Sequence, residues 1–238
     1  MLLVRASGVA AHSGLRDLLR PLPRGAACRA PPAAPAARRR SGAPAARRGV
    51  SAMAAAAKRV LVPIGSGTEE MEAVITIDVL RRAGADVVVA SVEDSLEVTC
   101  SRGVRLVADA LIGDAAAAQY DLIALPGGMP GAERLRDSTT LASLVGAQRD
   151  SGRLTAAICA TPAVFLEPAG IIRGARATAH PAFSDRLANQ SAVAQRVVVD
   201  GNLVTSRGPG TAFEFALELV KQLYGPDKAR EVAGPMQL

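Results

Sequence analysis

KRVLVPIGSGTEEMEAVITIDVLRRAGADVVVAS, residues 58–91, is the stretch whose reading decides the fold. It opens with residues 58–64, KRVLVPI, whose unbroken apolar run from Val60 onward is of the kind that fills a parallel sheet covered on both faces. Gly65-Ser66-Gly67 ends that run. Met71, Val74, Ile75 and Val79 then recur at helical spacing, and Gly84 supplies a stop. Ser66 and Glu69 stand three apart, as in a capping box, with Thr68 an equal candidate for the cap. Residues 86–91, DVVVAS, are a second buried strand. Strand, helix and strand within about 35 residues make a βαβ unit, whose crossover is right-handed.

The pattern continues outward. Residues 98–108 read as a β-hairpin around Arg102-Gly103, and residues 115–119 as a short helix. Residues 121–125, DLIAL, are another buried strand leading into Pro126-Gly127-Gly128. A helix over residues 137–152 precedes the apolar strand 154–158, which runs into Cys159 and a helix over 161–167. Residues 176–179 read as a short strand delivering His180-Pro181. RVVVDGNLVTS, residues 196–206, is a hairpin with Asp200-Gly201 at an expected type I′ turn. An apolar helix over 212–224 and a short one over 227–232 close the chain. Alternating strands and helices, with strands apolar throughout, specify an α/β doubly wound sandwich with a mostly parallel central sheet.

Charge divides the chain. Residues 1–58 hold 11 of the 28 Lys and Arg but one of the 22 Asp and Glu, leaving 17 bases against 21 acids afterwards. The basic excess therefore belongs to the N-terminal segment and gives no reason to expect nucleic-acid binding by the globular part. That segment is rich in Ala, Arg and Pro and begins with a stretch able to form a basic amphipathic helix. Residues 1–57 read as an organelle transit peptide or a disordered leader, with residues 58–238 as the folded domain. Val50-Ser51-Ala52 favours a plastid address, a mitochondrion comes next, and a start at Met53 would give a cytosolic or nuclear product. No apolar run is long enough for a membrane span. The cysteines are Cys28, Cys100 and Cys159, with no C-x-x-C, and His180 is the domain's one histidine. That set expects no metal site and no disulfide framework.

Several chemically capable residues fall at strand ends. A strand that stops at Cys159 and turns at once into a helix lifts a thiol out of the sheet edge, where unpaired N–H groups favour an anion. This reading draws the thiol toward thiolate at neutral pH, whereas the plain alternative is a small buried hydrophobe. Gly65-x-Gly67 lacks the third glycine of a dinucleotide loop, and Glu69, Glu70 and Glu72 would repel a pyrophosphate. Glu72 nonetheless follows the first strand at the edge where open α/β sheets bind ligands. The Gly127-Gly128 turn leaves backbone donors able to approach a ligand. His180 reads equally as a structural or a catalytic histidine, and no acid in the sequence is evident to orient it as in a triad.

The blocks GTEEMEAV (67–74), DVLRRAGADV (78–87), CSRGV (100–104), LPGGMPGA (125–132), AAICATPAV (156–164), AHP (179–181) and TSRGPGTAFEFAL (205–217) resemble the DJ-one branch of the ThiJ/PfpI family, in its order and spacing. The resemblance implies a flavodoxin-like sandwich, usually a homodimer, that needs no metal or organic cofactor. It makes Cys159 an oxidisable nucleophile and Glu72 a protonated carboxyl donating to its sulfur. Gly128 and Ala160 match the family's oxyanion donors, and His180 the histidine near the cysteine. Cys100 and Arg102 match a region by the dimer interface, with Arg102 reaching toward a partner's pocket. The implied activity is glutathione-independent conversion of methylglyoxal and glyoxal to lactate and glycolate, with removal of early adducts from glycated proteins as a further activity. The alternative is a redox-sensing chaperone switched by oxidation of Cys159. Neither reading calls for a nucleic-acid or membrane partner. Three departures stand out: Thr161 where animal members have glycine, Ala179 where they have threonine, and one domain where plant members commonly carry two.

Overall fold

The computed structural model describes residues 57–238, so the expected leader, Ala57 apart, and the alternative start at Met53 lie outside the described residues. Seven strands form the main sheet: β1 (Arg59–Ile64), β2 (Asp86–Ser91), β5 (Ala110–Leu111), β6 (Leu122–Leu125), β7 (Leu154–Ile158), β8 (Val197–Asp200) and β9 (Leu203–Ser206), in the order β5-β2-β1-β6-β7-β9-β8. All neighbours are parallel except the β8–β9 hairpin at one edge. The β3 (Glu97–Thr99) and β4 (Arg105–Val107) hairpin stands apart as its own two-stranded sheet. The helices are α1 (Glu70–Arg82), α2 (Ile112–Ala115), α3 (Gly131–Asp137), α4 (Thr139–Asp150), α5 (Ala212–Tyr224) and α6 (Pro226–Ala233).

Strand periodicity builds the two cores. Val60 and Val62, Leu122 and Ala124, Ala156 and Ile158, and Val204 pack on one face with Val79 and Leu80 of α1 and Phe215 and Leu219 of α5. The intervening residues Leu61, Ile123, Leu125, Ala157 and Leu203 pack on the other with Ile112, Leu135, Leu141 and Val145 of α2, α3 and α4. Because successive residues of a strand point to opposite faces, an apolar run is what a sheet between two helical layers requires. Each fully buried Leu, Ile or Phe contributes about 1.5–3 kcal/mol relative to exposure. The order β2-β1-β6-β7-β9 reverses direction at β1, so the crevice beyond the carboxyl ends of β1 and β6 is the switch point of a flavodoxin-like sheet.

Local readings differ from the structure for identifiable reasons. The α1 cap is Glu69, whose Oε2 accepts the Glu72 N–H at 2.8 Å, while the Thr68 hydroxyl turns back to the Gly65 N–H. Met71 and Val74, on the apolar helical spacing, are 51% and 45% exposed, and Glu72, Ala73 and Thr76 face inward instead. The helix expected at 137–152 begins earlier and breaks at Ser138, which closes α3 and caps α4. The helix expected at 115–119 ends at Ala115, and the edge strand β5 precedes it. The segment after Cys159 forms a π turn, Pro162–Leu166. Residues 176–179 are not a strand, because the Arg176 and Thr178 N–H groups go to the side chains of Asp200 and Thr205. The β8–β9 loop is Gly201-Asn202, with positive φ at Gly201 and not at Asn202, as a type II′ turn requires and a type I′ turn does not.

Candidate active site

Three turns after parallel strands meet at the switch point, and backbone packs directly on backbone there. A Cβ on Gly127 would lie 2.5 Å from the Cys159 Cβ and 2.8 Å from Glu72 Oε2. Gly128, at φ +91°, would meet the Glu69 nitrogen and the Gly67 oxygen at 2.4 Å. The glycines after β6 thus exist to let the loop touch both α1 and the end of β7.

Cys159 itself sits at φ +67°, a left-handed conformation that costs a residue with a side chain about 1–2 kcal/mol. Its N–H donates to the Ser206 carbonyl of β9 at 2.9 Å, and its carbonyl accepts the His180 N–H at 2.7 Å. Held at both ends, the residue turns its thiol into a cavity of about 270 Å³ and is 8% exposed. Gly128, Ala160, His180 and Arg102 line the same cavity, as does Glu69, read from the sequence as a helix-start acid, together with Ser101, Met129, Phe183 and Pro209, which the sequence reading did not single out. Arg102 lines the pocket of its own chain.

The three glutamates of the first turn of α1 have three different tasks. Glu69 caps the helix and forms part of the cavity wall. Glu70 accepts from the Ser101 hydroxyl and the Arg102 N–H, both at 2.8 Å, and so ties the hairpin loop to the pocket. Burial pushes its carboxyl up, but hydrogen bonds from its own N–H, Ser101 and Arg102 outweigh that and hold it below its ordinary value. Glu72 is fully buried behind the sulfur, with Oε2 accepting the Gly127 N–H at 2.7 Å. Gly127 is therefore not a free oxyanion donor, contrary to expectation, because that N–H is committed to Glu72. Glu72 Oε1 is buried without a formed hydrogen bond. The Glu72 carboxyl and the Cys159 thiol act on one another.

Burial pushes the Glu72 carboxyl up to about 8, against the lowering influence of the Gly127 N–H and Cys159 and with repulsion from Glu69 added. The carboxyl is thus protonated at neutral pH. Burial, and next the repulsion of an ionised Glu72, push the Cys159 thiol up to about 12, partly opposed by the Gly128 and Ala160 N–H groups. The direction opposes the expected drift toward thiolate. Beyond the cysteine the chain makes one π turn opened by Pro162, which has no N–H, and desolvation outweighs the remaining donors. The two groups share protons: with the proton on Glu72, the repulsion disappears and the sulfur anion keeps both backbone donors. Burial likewise pushes Cys100 up, to about 11.

His180 Nδ1 accepts the Ala182 N–H at 3.2 Å, so the neutral ring carries its proton on Nε2. Its ring is tilted against Phe183, and its Cδ2 lies toward Gly208. This arrangement makes His180 a hydrogen-bond donor to the cavity. Thr161, one of the departures from the resembled family, is fully buried and donates to the Pro126 carbonyl at 2.6 Å.

Known proteins are similar to this chain in sequence and in fold. Protein DJ-1 homolog B of Arabidopsis thaliana is 49% identical over 185 residues, covering 77% of this chain and 42% of the relative. Homolog A is 48% identical over 78% of this chain and 48% of its own length, so the chain spans about half the length of these two relatives. The Caenorhabditis elegans protein named glutathione-independent glyoxalase DJR-1.2 is 36% identical, over 78% of this chain and 99% of that protein. Among solved structures, that described as Toxoplasma gondii DJ-1, oxidized, superposes with a TM-score of 0.74 at 49% identity, covering 76% of this chain and 98% of the other. With the pattern of the DJ-1/PfpI family matching residues 58–222, the chain belongs to that family.

Proposed function

We propose that the protein is a glutathione-independent glyoxalase that converts methylglyoxal to lactate, and glyoxal to glycolate, in defence against reactive carbonyls. The observation that carries the reading is a buried carboxyl kept protonated behind a strained cysteine, with the Gly128 and Ala160 N–H groups at the sulfur. The glyoxalase name of the 36% identical relative supports it.

The chemistry is an internal redox and needs no outside reductant. The reactive form is the one in which the Cys159 proton has left to solvent while Glu72 keeps its own, a minority form because Glu72 releases its proton more readily than the thiol does. The sulfur adds to the aldehyde carbon, and the Glu72 proton passes to the new oxygen to give a hemithioacetal. Gly128 and Ala160 N–H groups stabilise the negative oxygen as it forms. The Glu72 carboxylate then removes the hydrogen from the former aldehyde carbon. The electron pair moves toward the ketone, whose oxygen accepts from His180 Nε2–H. Glu72 returns the proton to the ketone carbon, and a proton passes between the two oxygens, leaving a lactyl thioester. Water cleaves that thioester, and the acid proton released restores Glu72. A glutamate near pH 8 is well matched to giving and taking a proton at neutral pH. Early glyoxal adducts on protein side chains present a related carbon to the same thiol, which extends the proposal to deglycation.

Exposed Met71 and Val74 of α1, with Val104 and Val107 of the neighbouring hairpin, support pairing of two copies through that face. The composition of residues 1–57 supports import into a plastid, with a mitochondrion second, and fusion of that segment to a fluorescent protein tests it.

The test is metal-free, glutathione-free turnover of methylglyoxal by the full chain, with lactate quantified directly. Lactate formation should vanish in Cys159→Ser and Glu72→Leu. Aldehyde loss without lactate would mean trapping by thiols and amines and would sink the enzyme reading. The second reading, a redox-sensing chaperone, is favoured by the oxidised state of the 49% identical solved relative. It requires Cys159 oxidation to change partner binding, with binding surviving Glu72→Leu.

A further inference from the structure

We propose that Thr161 is a positioning residue: its hydroxyl locks the turn after β6 to the turn after β7 and so sets the gap between the Gly128 and Ala160 N–H groups. The inference deepens the glyoxalase reading and rests on it for its catalytic consequence.

The hydroxyl is used in an unusual direction. Thr161 occupies the cap position of the Pro162–Leu166 turn, where a threonine oxygen ordinarily accepts an N–H of the following turn. It makes no such bond. Fully buried, it instead donates across to the Pro126 carbonyl at 2.6 Å, 35 residues away in the chain. Among the described residues no backbone N–H pairs with that carbonyl, so the threonine is what satisfies it.

The location gives the bond its consequence. The β6–β7 ladder ends at Leu125 and Ala157, before either donor is reached. Beyond it, the Gly127 carbonyl accepts the Glu69 N–H at 2.9 Å and the Gly127 N–H goes to Glu72, which fasten the loop toward α1. Thr161 fastens the same loop to the cysteine turn. Its anchor lies two residues before Gly128, and its own backbone lies one residue after Ala160. Oxyanion donors act through their distance from the reacting oxygen, so a clamp between the two strands that carry them governs the rate without touching substrate.

The experiment compares Thr161→Val, which keeps the shape and removes the hydroxyl, with Thr161→Ser, which keeps the hydroxyl. Measured for each are kcat and KM for methylglyoxal, the pH dependence of Cys159 alkylation by iodoacetamide read by mass spectrometry of that peptide, and thermal unfolding. The expected result for Thr161→Val is a folded protein with kcat down about tenfold and KM within about twofold. Its alkylation midpoint moves to higher pH as the sulfur loses donor support. Thr161→Ser should keep kcat within about threefold and the wild-type alkylation curve. Wild-type behaviour of Thr161→Val, or impairment of Thr161→Ser equal to that of Thr161→Val, overturns the proposal. Should the wild-type chain not turn over methylglyoxal, the glyoxalase reading fails alone. The alkylation curves then decide: a shift in the valine but not the serine variant supports the clamp, and no shift overturns it.

Discussion

Replacing Glu72 by glutamine separates the shape of this side chain from its proton. The amide keeps an oxygen for the Gly127 N–H, which now lies 2.7 Å from Oε2, and turns N–H groups toward the sulfur. It cannot ionise. In the folded chain burial pushes the Glu72 carboxyl up to about 8 from an ordinary value of 4.5. The folded state therefore binds this proton more tightly than the unfolded chain does. The resulting stability is complete below pH 4.5 and is lost as pH rises through 8. At about 1.36 kcal/mol per pH unit, wild type loses about 4 kcal/mol between pH 5 and pH 9 on this account. Glu72→Gln loses none of it. Urea unfolding of both proteins at pH 5, 7 and 9, followed by circular dichroism, reads the difference directly. The glutamine variant should gain on wild type steadily with pH and form no lactate at any pH. Parallel stability curves would show that Glu72 is not held protonated, and the proton-shuttle role assigned to it would go with them.

Gly127→Ala brings a methyl to within 2.5 Å of the Cys159 Cβ; thermal unfolding should show a loss of about 1–3 kcal/mol, and lactate formation should cease. His180→Gln, whose amide N–H replaces the Nε2–H donor, should keep kcat within about tenfold, while His180→Leu loses about a hundredfold; equal losses would remove the donor role. Val107→Asp places a charge on a residue that is 71% exposed. If two copies pair through this face as proposed, sedimentation should show wild type as a dimer and the variant as a folded monomer, and identical sedimentation of the two would remove the pairing proposal.

The fold was legible where one period ruled. Strands β1, β2, β6 and β7 are apolar on both faces, and no competing element produces such runs between glycine-rich turns. Reading failed where the hydrogen-bond partner was distant. Residues 176–179 look like a strand, yet their donors are satisfied by Asp200 and Thr205 side chains that local sequence does not announce. Helix α3 hid behind Pro130 and Gly131, residues that signal a turn, and Met71 and Val74 looked like core until burial put them outside. Cys159, Gly128, Ala160, His180 and Arg102 do gather at one cavity, and Glu72 stands behind the sulfur. The direction of the Cys159 shift was not legible, because local charge and dipole are visible in sequence while desolvation depends on everything packed around the thiol.

That same packing explains how the cysteine keeps an unfavourable backbone. A left-handed non-glycine residue persists only where its surroundings over-determine it. Here the N–H is taken by β9 and the carbonyl by the N–H of His180 itself, so relaxing Cys159 would break bonds to two other segments. Gly127 closes the remaining side, with no space for even a methyl between it and the cysteine. The conformation that exposes the sulfur is therefore a property of three converging turns. Cys159→Ser, which changes one atom and no backbone bond, should accordingly fold as wild type does and lose its chemistry alone.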